Sequence, residues 1–245
     1  MLTPMDAASF FLSEDEVQVW NFTLDRPPAA VERAAAVLST EERARADAFH
    51  FPRDRIRFVI AHATLRELLG GYLQTTPAAV RFVAGPRGKP RLSSDLGPGG
   101  DVRFNLSHSH TEALLAVTRG REVGVDLEYM RAEVDCAGIV AGHFSPAEQK
   151  AWSALPESIR RVAFFHGWTR KEAYVKALGE GLAHEPRSYT VDLDPDGPGA
   201  LLADDLIADG VQAWTVRALP APAGYAAALA HAGSALRVSR RPLPE

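Results

Sequence analysis

The chain has 245 residues, of which 46% are hydrophobic and 24% charged, a balance typical of a globular protein with a sizeable core. A formal net charge of −4 gives no reason to expect a general affinity for nucleic acid or anionic membranes. One cysteine excludes a disulfide framework, and the first residues show no basic, apolar leader pattern, so we predict a cytoplasmic protein.

The first half of the chain predicts a strand, two helices and several short strands. Residues 16–24 alternate in polarity as a strand does, and Ser39 with Glu42 three residues later is the capping box of a short helix. Residues 52–73 begin with Pro52 and carry an apolar stripe, which predicts a long helix. Strands follow at "VRFVAG", "VRFNLS", "EALLAVT" and "REVGVDLEY", and "GPRGKP" is predicted to be a turn.

The second half repeats this order. A capping box at Ser145 precedes a long helix that opens at Pro156, and strands are predicted at "SYTVDL", "VQAWTVRAL" and "GYAAALAH". When Pro52 is aligned with Pro156, identities fall at Arg57 and Arg161, His62 and His166, and Arg66 and Arg170. We therefore predict two similar α+β halves that join near "TRGREVG". The uncharged run 219–236 is interrupted by prolines and glycines, so we do not predict a membrane span there.

The predicted strand "GVDLEY" carries two carboxylates on one face. Asp126 and Glu128 are two residues apart, and side chains at that spacing point the same way from a strand. Two neighbouring carboxylates repel each other unless water surrounds them or a cation lies between them. The strand therefore either faces solvent or contributes to a cation site.

The stretch "GWTRKEAYVKALGEG" offers a third carboxylate. Trp168, Glu172 and Lys176 are four residues apart and share one helix face. Glu172 and Lys176 are either a solvent-exposed helix pair or part of a site that includes the strand carboxylates. Three oxygen ligands without histidine or cysteine suit Mg²⁺, which commonly completes its coordination with water and phosphate oxygens. The second interpretation therefore predicts a substrate that contains phosphate.

Other residues could bind that phosphate. Lys89 lies in a turn beside glycine and proline, and Ser107 and His108 end a predicted strand. Arg57 on the first long helix could contribute a guanidinium fork. A surface or structural role remains open for His108, as does a surface ion pair for Arg57.

Four motifs in order resemble the 4′-phosphopantetheinyl transferases, specifically the larger two-halved kind typified by the surfactin-synthetase-activating enzyme. The motifs are Gly88-Lys89-Pro90, Phe104-Asn105-Leu106-Ser107-His108-Ser109, Gly124-Val125-Asp126-Leu127-Glu128, and Trp168-Thr169-Arg170-Lys171-Glu172-Ala173-Tyr174-Val175-Lys176. The likeness extends from about residue 38 to residue 230. The family often has a basic residue where this chain has Glu42, which leaves Arg43, Arg45 or Arg57 as the outer phosphate contact.

The resemblance implies a monomeric α+β fold of two pseudo-twofold-related subdomains, residues 1–120 and 121–245, each with a small antiparallel sheet on a long helix. It implies coenzyme A as co-substrate between the halves and Mg²⁺ as cofactor, with Mn²⁺ as an alternative. The implied metal ligands are Asp126, Glu128 and Glu172, and the implied catalytic residues are Glu172 and Lys176. The implied coenzyme A contacts are Arg57, Lys89, Ser107, His108 and Lys176.

The resemblance implies a holo-[acyl-carrier-protein] synthase, which transfers 4′-phosphopantetheine from coenzyme A to a serine of an apo carrier protein and releases adenosine 3′,5′-bisphosphate. The carrier would be an acyl or peptidyl carrier protein of fatty-acid, polyketide or nonribosomal-peptide synthesis. The segment 131–144 follows the carboxylate strand directly and is the expected carrier-docking element. The alternatives are a non-catalytic homologue that binds coenzyme A or carrier protein, and a Mg²⁺-dependent phosphohydrolase.

Overall fold

The computed structural model describes residues 7–85, 87–95, 101–207, 210–234 and 236–243. The helices of this part of the chain are α1 (Pro28–Ala35), α2 (Thr40–Asp47), α3 (Pro52–Leu73), α4 (Cys136–His143), α5 (Pro146–Ala154), α6 (Glu157–Leu178) and α7 (Gly210–Ala213). The strands are β1 (Glu16–Thr23), β2 (Phe82–Ala84), β3 (Pro90–Leu92), β4 (Val102–Ser109), β5 (Glu112–Arg119), β6 (Val123–Tyr129), β7 (Tyr189–Val191), β8 (Leu201–Asp204), β9 (Trp214–Leu219), β10 (Tyr225–Ala232) and β11 (Arg237–Pro242). None of the helices described is long and apolar enough to cross a membrane.

The chain forms two compact units. The first unit comprises residues 1–84, 90–120 and 237–245, and the second comprises residues 85–89 and 121–236. The predicted α+β class is confirmed, because each unit combines small sheets with a 22-residue helix. The pseudo-twofold relation and the boundary at residues 120–121 stay predictions.

The first unit contains a four-stranded sheet in the order β11-β1-β5-β4. The apolar residues of α3 pack against the sheet and form a hydrophobic core with it. The fully buried residues of this core include Trp20, Leu68, Leu69 and Leu115. The predicted strand at 16–24 and the predicted helix at 52–73 are both confirmed. Both elements are buried on more than one face, and this tertiary packing supplies most of the stability of such a helix.

The second unit contains a three-stranded antiparallel sheet in the order β6-β10-β9. One face of this sheet is lined by small residues, which are Gly124 on β6 and Ala226, Ala228 and Ala230 on β10. Helix α6 lies directly on that face. A Cβ atom on Gly124 would be 2.1 Å from the carbonyl oxygen of Ala173, so only glycine permits this close approach.

Both predicted capping boxes are present. The Ser39 side chain accepts a hydrogen bond from the backbone N–H of Glu42, whose carboxylate accepts from the backbone N–H of Ser39. Ser145 and Glu148 make the same reciprocal pair at the start of α5. Each box satisfies two N–H groups that a helix start would otherwise leave without partners.

The end of the chain departs from the sequence prediction. All residues beyond 120 were expected in the second half, whereas β11 joins the sheet of the first unit. It pairs with β1 in parallel, from Glu16 opposite Arg237 to Asn21 opposite Pro242, so this sheet is mixed rather than antiparallel throughout. The pairing satisfies backbone groups along an edge of β1 that would otherwise be exposed.

Candidate active site

The two strand carboxylates project from the face of β6 that packs against α6. Asp126 lies opposite Ala228 of β10 and Glu128 opposite Ala226, on the same side as Gly124. Asp126 is 2% exposed and Glu128 is partly buried. The solvent-facing interpretation of this strand is therefore wrong for Asp126, because a buried carboxylate must be paired or hydrogen-bonded.

Helix α6 brings a cation to this strand. The Nζ atom of Lys176 donates a short hydrogen bond to Oδ1 of Asp126, and the Lys176 side chain is 30% exposed. The helix face that carries Trp168, Glu172 and Lys176 thus meets the strand rather than solvent alone. Lys176 thus makes a long-range hydrogen bond to the strand and also acts electrostatically on Glu172, its neighbour one helical turn away.

Glu172 shares the same electrostatic environment. Burial raises the pKa of its carboxyl, and the negative charges of Asp126 and then Glu128 raise it further. Lys176 and His143 act in the opposite direction. Asp126, Glu128, Glu172 and Lys176, four residues singled out from the sequence, are therefore close enough to interact in the second unit.

The donor set of this group fits a hard divalent cation in its chemistry. It consists of carboxylate oxygens alone, and a dication would offset the repulsion that raises the pKa of Glu172. Within the described residues, however, no three acidic, histidine or cysteine side chains stand at the spacing of a metal site. The assignment of Asp126, Glu128 and Glu172 as metal ligands stays a prediction.

The other lysine of the α6 motif has a structural contact. Lys171 is 1% exposed, and its Nζ atom lies 2.9 Å from Oε2 of the buried Glu148 and 2.9 Å from the carbonyl oxygen of Tyr189. The ammonium also lies 4.0 Å from the centroid of the Tyr189 ring. Lys171 thus ties α6 to the capping box of α5 and to β7.

Three of the predicted coenzyme A contacts lie in the first unit. Arg57 is on α3, where its Nε atom donates to Oδ1 of Asp25 over 3.1 Å. Ser107 is buried and His108 exposed near the end of β4. The ion-pair interpretation of Arg57 is borne out by this contact, and the phosphate role of all three residues stays a prediction.

Lys89 lies in the second unit, near the end of the predicted turn "GPRGKP". Pro86 of this turn is outside the described residues. Its side chain is 10% exposed, and its Nζ atom is 3.0 Å from Oε2 of Glu122. Backbone carbonyl oxygens of Val123 and Ala177 lie 2.9 Å and 3.1 Å from the same nitrogen. These contacts place Lys89 beside the elements that carry the carboxylates.

The sequence prediction did not include His143. This exposed residue ends α4, its ring stands edge-on to Trp168 with centroids 6.0 Å apart, and its charge influences Glu172. No spacing rule connects residue 143 with residue 172. A cavity of about 730 Å³ lies elsewhere in the second unit, between the loop 195–199 and β9, and none of the predicted site residues lines it.

Comparisons with known proteins agree with the motifs. Residues 122–230 match the 4′-phosphopantetheinyl transferase superfamily, and residues 25–119 match a domain described as 4′-phosphopantetheinyl transferase, N-terminal. The chain is similar to the 4′-phosphopantetheinyl transferase HetI of Nostoc sp., with 39% identity over 222 residues that cover 91% of this chain and 90% of that protein.

More distant relatives are also named phosphopantetheinyl transferases. The 4′-phosphopantetheinyl transferase Sfp of Bacillus subtilis is 27% identical over 183 residues, which are 74% of this chain and 79% of Sfp. The human L-aminoadipate-semialdehyde dehydrogenase-phosphopantetheinyl transferase is 29% identical over 69% of this chain and 57% of its own length. The similarity to HetI extends over nine-tenths of both chains, and the carboxylate-bearing β6 and α6 lie inside the matched region 122–230. The chain therefore belongs to the 4′-phosphopantetheinyl transferase superfamily and is an enzyme of that class.

Proposed function

We propose that the enzyme transfers 4′-phosphopantetheine from coenzyme A to a serine hydroxyl of an apo acyl or peptidyl carrier protein. The observation that carries this proposal is the convergence of Asp126, Glu128, Glu172 and Lys176 on one side of β6. Acidic groups with one partly exposed ammonium suit the transfer of a phosphoryl group, because that reaction depends on positioning and on electrostatic stabilisation.

In the proposed reaction the serine oxygen attacks the β-phosphorus of coenzyme A. A new phosphorus–oxygen bond forms, and the bond to the bridging oxygen breaks to release adenosine 3′,5′-bisphosphate. Glu172 accepts the serine proton, directly or through water, and general-base help of this kind typically contributes about 10²–10⁴-fold. Lys176 places positive charge beside the phosphates, where negative charge accumulates.

Asp126, Glu128 and Glu172 would hold Mg²⁺, with Mn²⁺ as an alternative. The bound cation would offset charge on the diphosphate. The all-carboxylate donor set supports this assignment. Removal of divalent ions with EDTA should abolish transfer and added Mg²⁺ should restore it; transfer that persists in EDTA would contradict the metal assignment.

Arg57, Ser107 and His108 are the proposed nucleotide-phosphate contacts of the first unit. Carrier docking is proposed on the segment 131–144, since α4 follows β6 and ends at His143 beside Trp168. The carriers proposed are those of fatty-acid, polyketide or nonribosomal-peptide synthesis. We further propose that the protein is a cytoplasmic monomer. Size-exclusion chromatography with light scattering tests the oligomeric state.

The direct test is intact-mass spectrometry of carrier proteins after incubation with enzyme, coenzyme A and Mg²⁺. A modified carrier should gain about 340 Da, the mass of the transferred group. No gain across a panel of acyl and peptidyl carriers would leave the non-catalytic alternative. Phosphate released from coenzyme A without any carrier would support the phosphohydrolase alternative.

Asp126→Ala and Glu172→Ala should each abolish transfer while the circular dichroism spectrum stays native. Each substitution removes a carboxylate from the proposed metal and proton-transfer group, and losses at such groups are typically about 10²-fold or more. Near-normal transfer by either variant would contradict its assigned role.

A further inference from the structure

The ammonium group of Lys89 lies in a cage that includes three acceptors of the described residues. Oε2 of Glu122, the carbonyl oxygen of Val123 and the carbonyl oxygen of Ala177 are 3.0, 2.9 and 3.1 Å from Nζ. An ammonium group has three N–H donors, and these acceptors match that number. Glu122 also supplies the opposite charge that a largely buried lysine requires.

Two of these acceptors belong to the two elements that carry the site. Val123 is the first residue of β6, three residues before Asp126. Ala177 follows Lys176 in the last turn of α6. Lys89 therefore joins the backbone of the carboxylate strand to the backbone of the helix that carries Glu172 and Lys176.

The cage lies where strand and helix approach each other most closely. A Cβ atom on Gly124 would be 2.4 Å from the backbone nitrogen of Ala177, so the two backbones are in direct contact there. Glycine permits this approach but does not determine how far the helix slides along the strand. Hydrogen bonds from one ammonium to both backbones are directional and therefore can restrict this sliding.

The turn that presents Lys89 is shaped for this role. The backbone N–H of Gly88 donates to the carbonyl oxygen of Gly85 over 2.9 Å, and the N–H of Gly85 donates to the carbonyl oxygen of Lys89 over 2.8 Å. Gly88 has φ +87°, a conformation that favours glycine. Pro90 then starts β3. Each residue of the Gly-Lys-Pro motif thus has a conformational or hydrogen-bonding function.

We propose that Lys89 is a positioning residue, which fixes the register of β6 against α6 and thereby places Asp126 relative to Glu172 and Lys176. This role replaces the phosphate contact that the family resemblance implies for Lys89. An ammonium whose three donors are directed at protein acceptors has none left for a phosphate. The activity readout of this inference rests on the proposed function.

The test compares Lys89→Met with Arg66→Met. Arg66 is a matched control in the first unit, since it is also a buried cation that donates to one carboxylate, Glu42, and to two backbone carbonyls, Pro77 and Val80. The measurements are kcat of transfer, the Kd of adenosine 3′,5′-bisphosphate by calorimetry, and amide hydrogen exchange along β6 and the end of α6.

For Lys89→Met we expect kcat to fall by about tenfold or more, because small displacements of reacting groups have effects of that size. The Kd of adenosine 3′,5′-bisphosphate should stay within about twofold, and exchange should accelerate in β6 and the end of α6. Arg66→Met should leave exchange in those two segments unchanged. A tenfold loss of bisphosphate affinity, or unchanged exchange in β6 and α6, would overturn the proposal.

Glu122→Gln keeps the test decisive if Lys89→Met fails to fold. This substitution removes only the charge of one acceptor and should accelerate exchange in the same two segments to a smaller extent. Unchanged exchange would contradict the positioning role of Lys89. Wild-type enzyme that modifies no carrier would contradict the proposed function, and the exchange data would still decide the role of Lys89.

Discussion

At the scale of single residues, Glu42 shows how a partly buried carboxylate is kept ionised. Burial alone would raise its pKa, but hydrogen bonds from His62 and Arg66 and from the backbone of Ser39 outweigh burial and lower the pKa to about 2. The Nε atom of Arg66 is 2.6 Å from Oε2 of Glu42. At position 42, where the family often has a basic residue, this chain therefore has a carboxylate that accepts hydrogen bonds from His62 and Arg66.

Glu42 should make stability depend on pH. Its pKa is lowered from 4.5 to about 2, so the unfolded chain binds the proton more readily. The carboxylate therefore stabilises the fold fully above about pH 5, and this contribution disappears as the pH falls towards 2. The contribution is at most about 3 kcal/mol, from 1.36 kcal/mol per pKa unit.

Urea unfolding between pH 2.5 and 6 checks this expectation. Glu42→Gln should be less stable at pH 6 and should lack this component of the pH dependence. Glu32→Gln on the exposed side of α1 serves as the control. If wild type and Glu42→Gln had parallel stability curves over this range, the network would not operate as described.

At the scale of elements, the contact between β6 and α6 positions the site. Small residues on the strand face let the helix lie against the backbone, and the Lys176–Asp126 hydrogen bond crosses that contact. Lys171 and Glu148 secure α6 on its other side to α5. The site is therefore built on rigid elements, which hold catalytic groups more accurately than loops do.

Gly124→Ala should separate these elements. The added Cβ would be 2.1 Å from the carbonyl oxygen of Ala173, so α6 must move. We expect a loss of about 1–3 kcal/mol of stability, typical of overpacking, together with a fall in kcat relative to wild type.

Gly142 is the matched control for this substitution, because a Cβ atom there would meet nothing within 4 Å. It lies in α4, where alanine is favoured over glycine by up to about 1 kcal/mol. The unfolding midpoints of the two variants decide the outcome for stability. Equal behaviour of both variants would show that the close approach at Gly124 is not needed.

At the scale of the whole molecule, the first unit is built from three separate segments of the chain. Strand β11 returns to pair with β1, and Leu243 beyond it joins the core of the first unit. The first unit is therefore completed by residues that are more than 100 positions away from the rest of it. Contacts of such long range tend to slow folding, because closing the loop between them costs conformational entropy.

Removal of residues 237–245 should destabilise the first unit. It takes away the parallel partner of β1 and one buried leucine, whose loss alone typically costs about 2 kcal/mol or more. Thermal unfolding with hydrogen exchange along β1 checks this expectation. Leu243→Ala, which keeps the strand pairing, should have a smaller effect; equal effects would show that β11 adds nothing beyond that leucine.

Local patterns in the sequence were sufficient for the elements that carry the site. Apolar periodicity located β1 and α3, Pro156 marked the start of α6, and the two capping boxes located the starts of α2 and α5. Four ordered motifs were sufficient for the family and its enzyme class. These features depend on residues close together in sequence, where spacing alone determines which side chains share a face.

Only the tertiary structure decided which protein groups the charged residues contact. Arg66 and Arg170 repeat in the sequence, and both are buried cations that bond backbone carbonyls. Lys171 and Lys176 belong to one motif, yet one is buried against Glu148 and the other reaches Asp126. The sequence does not show whether a lysine or a carboxylate binds substrate or other protein groups. That role depends on which distant donors or acceptors the fold brings within hydrogen-bond distance. The packing of α6 on β6 and the return of β11 to β1 were decided in the same way, by contacts between residues far apart in the chain.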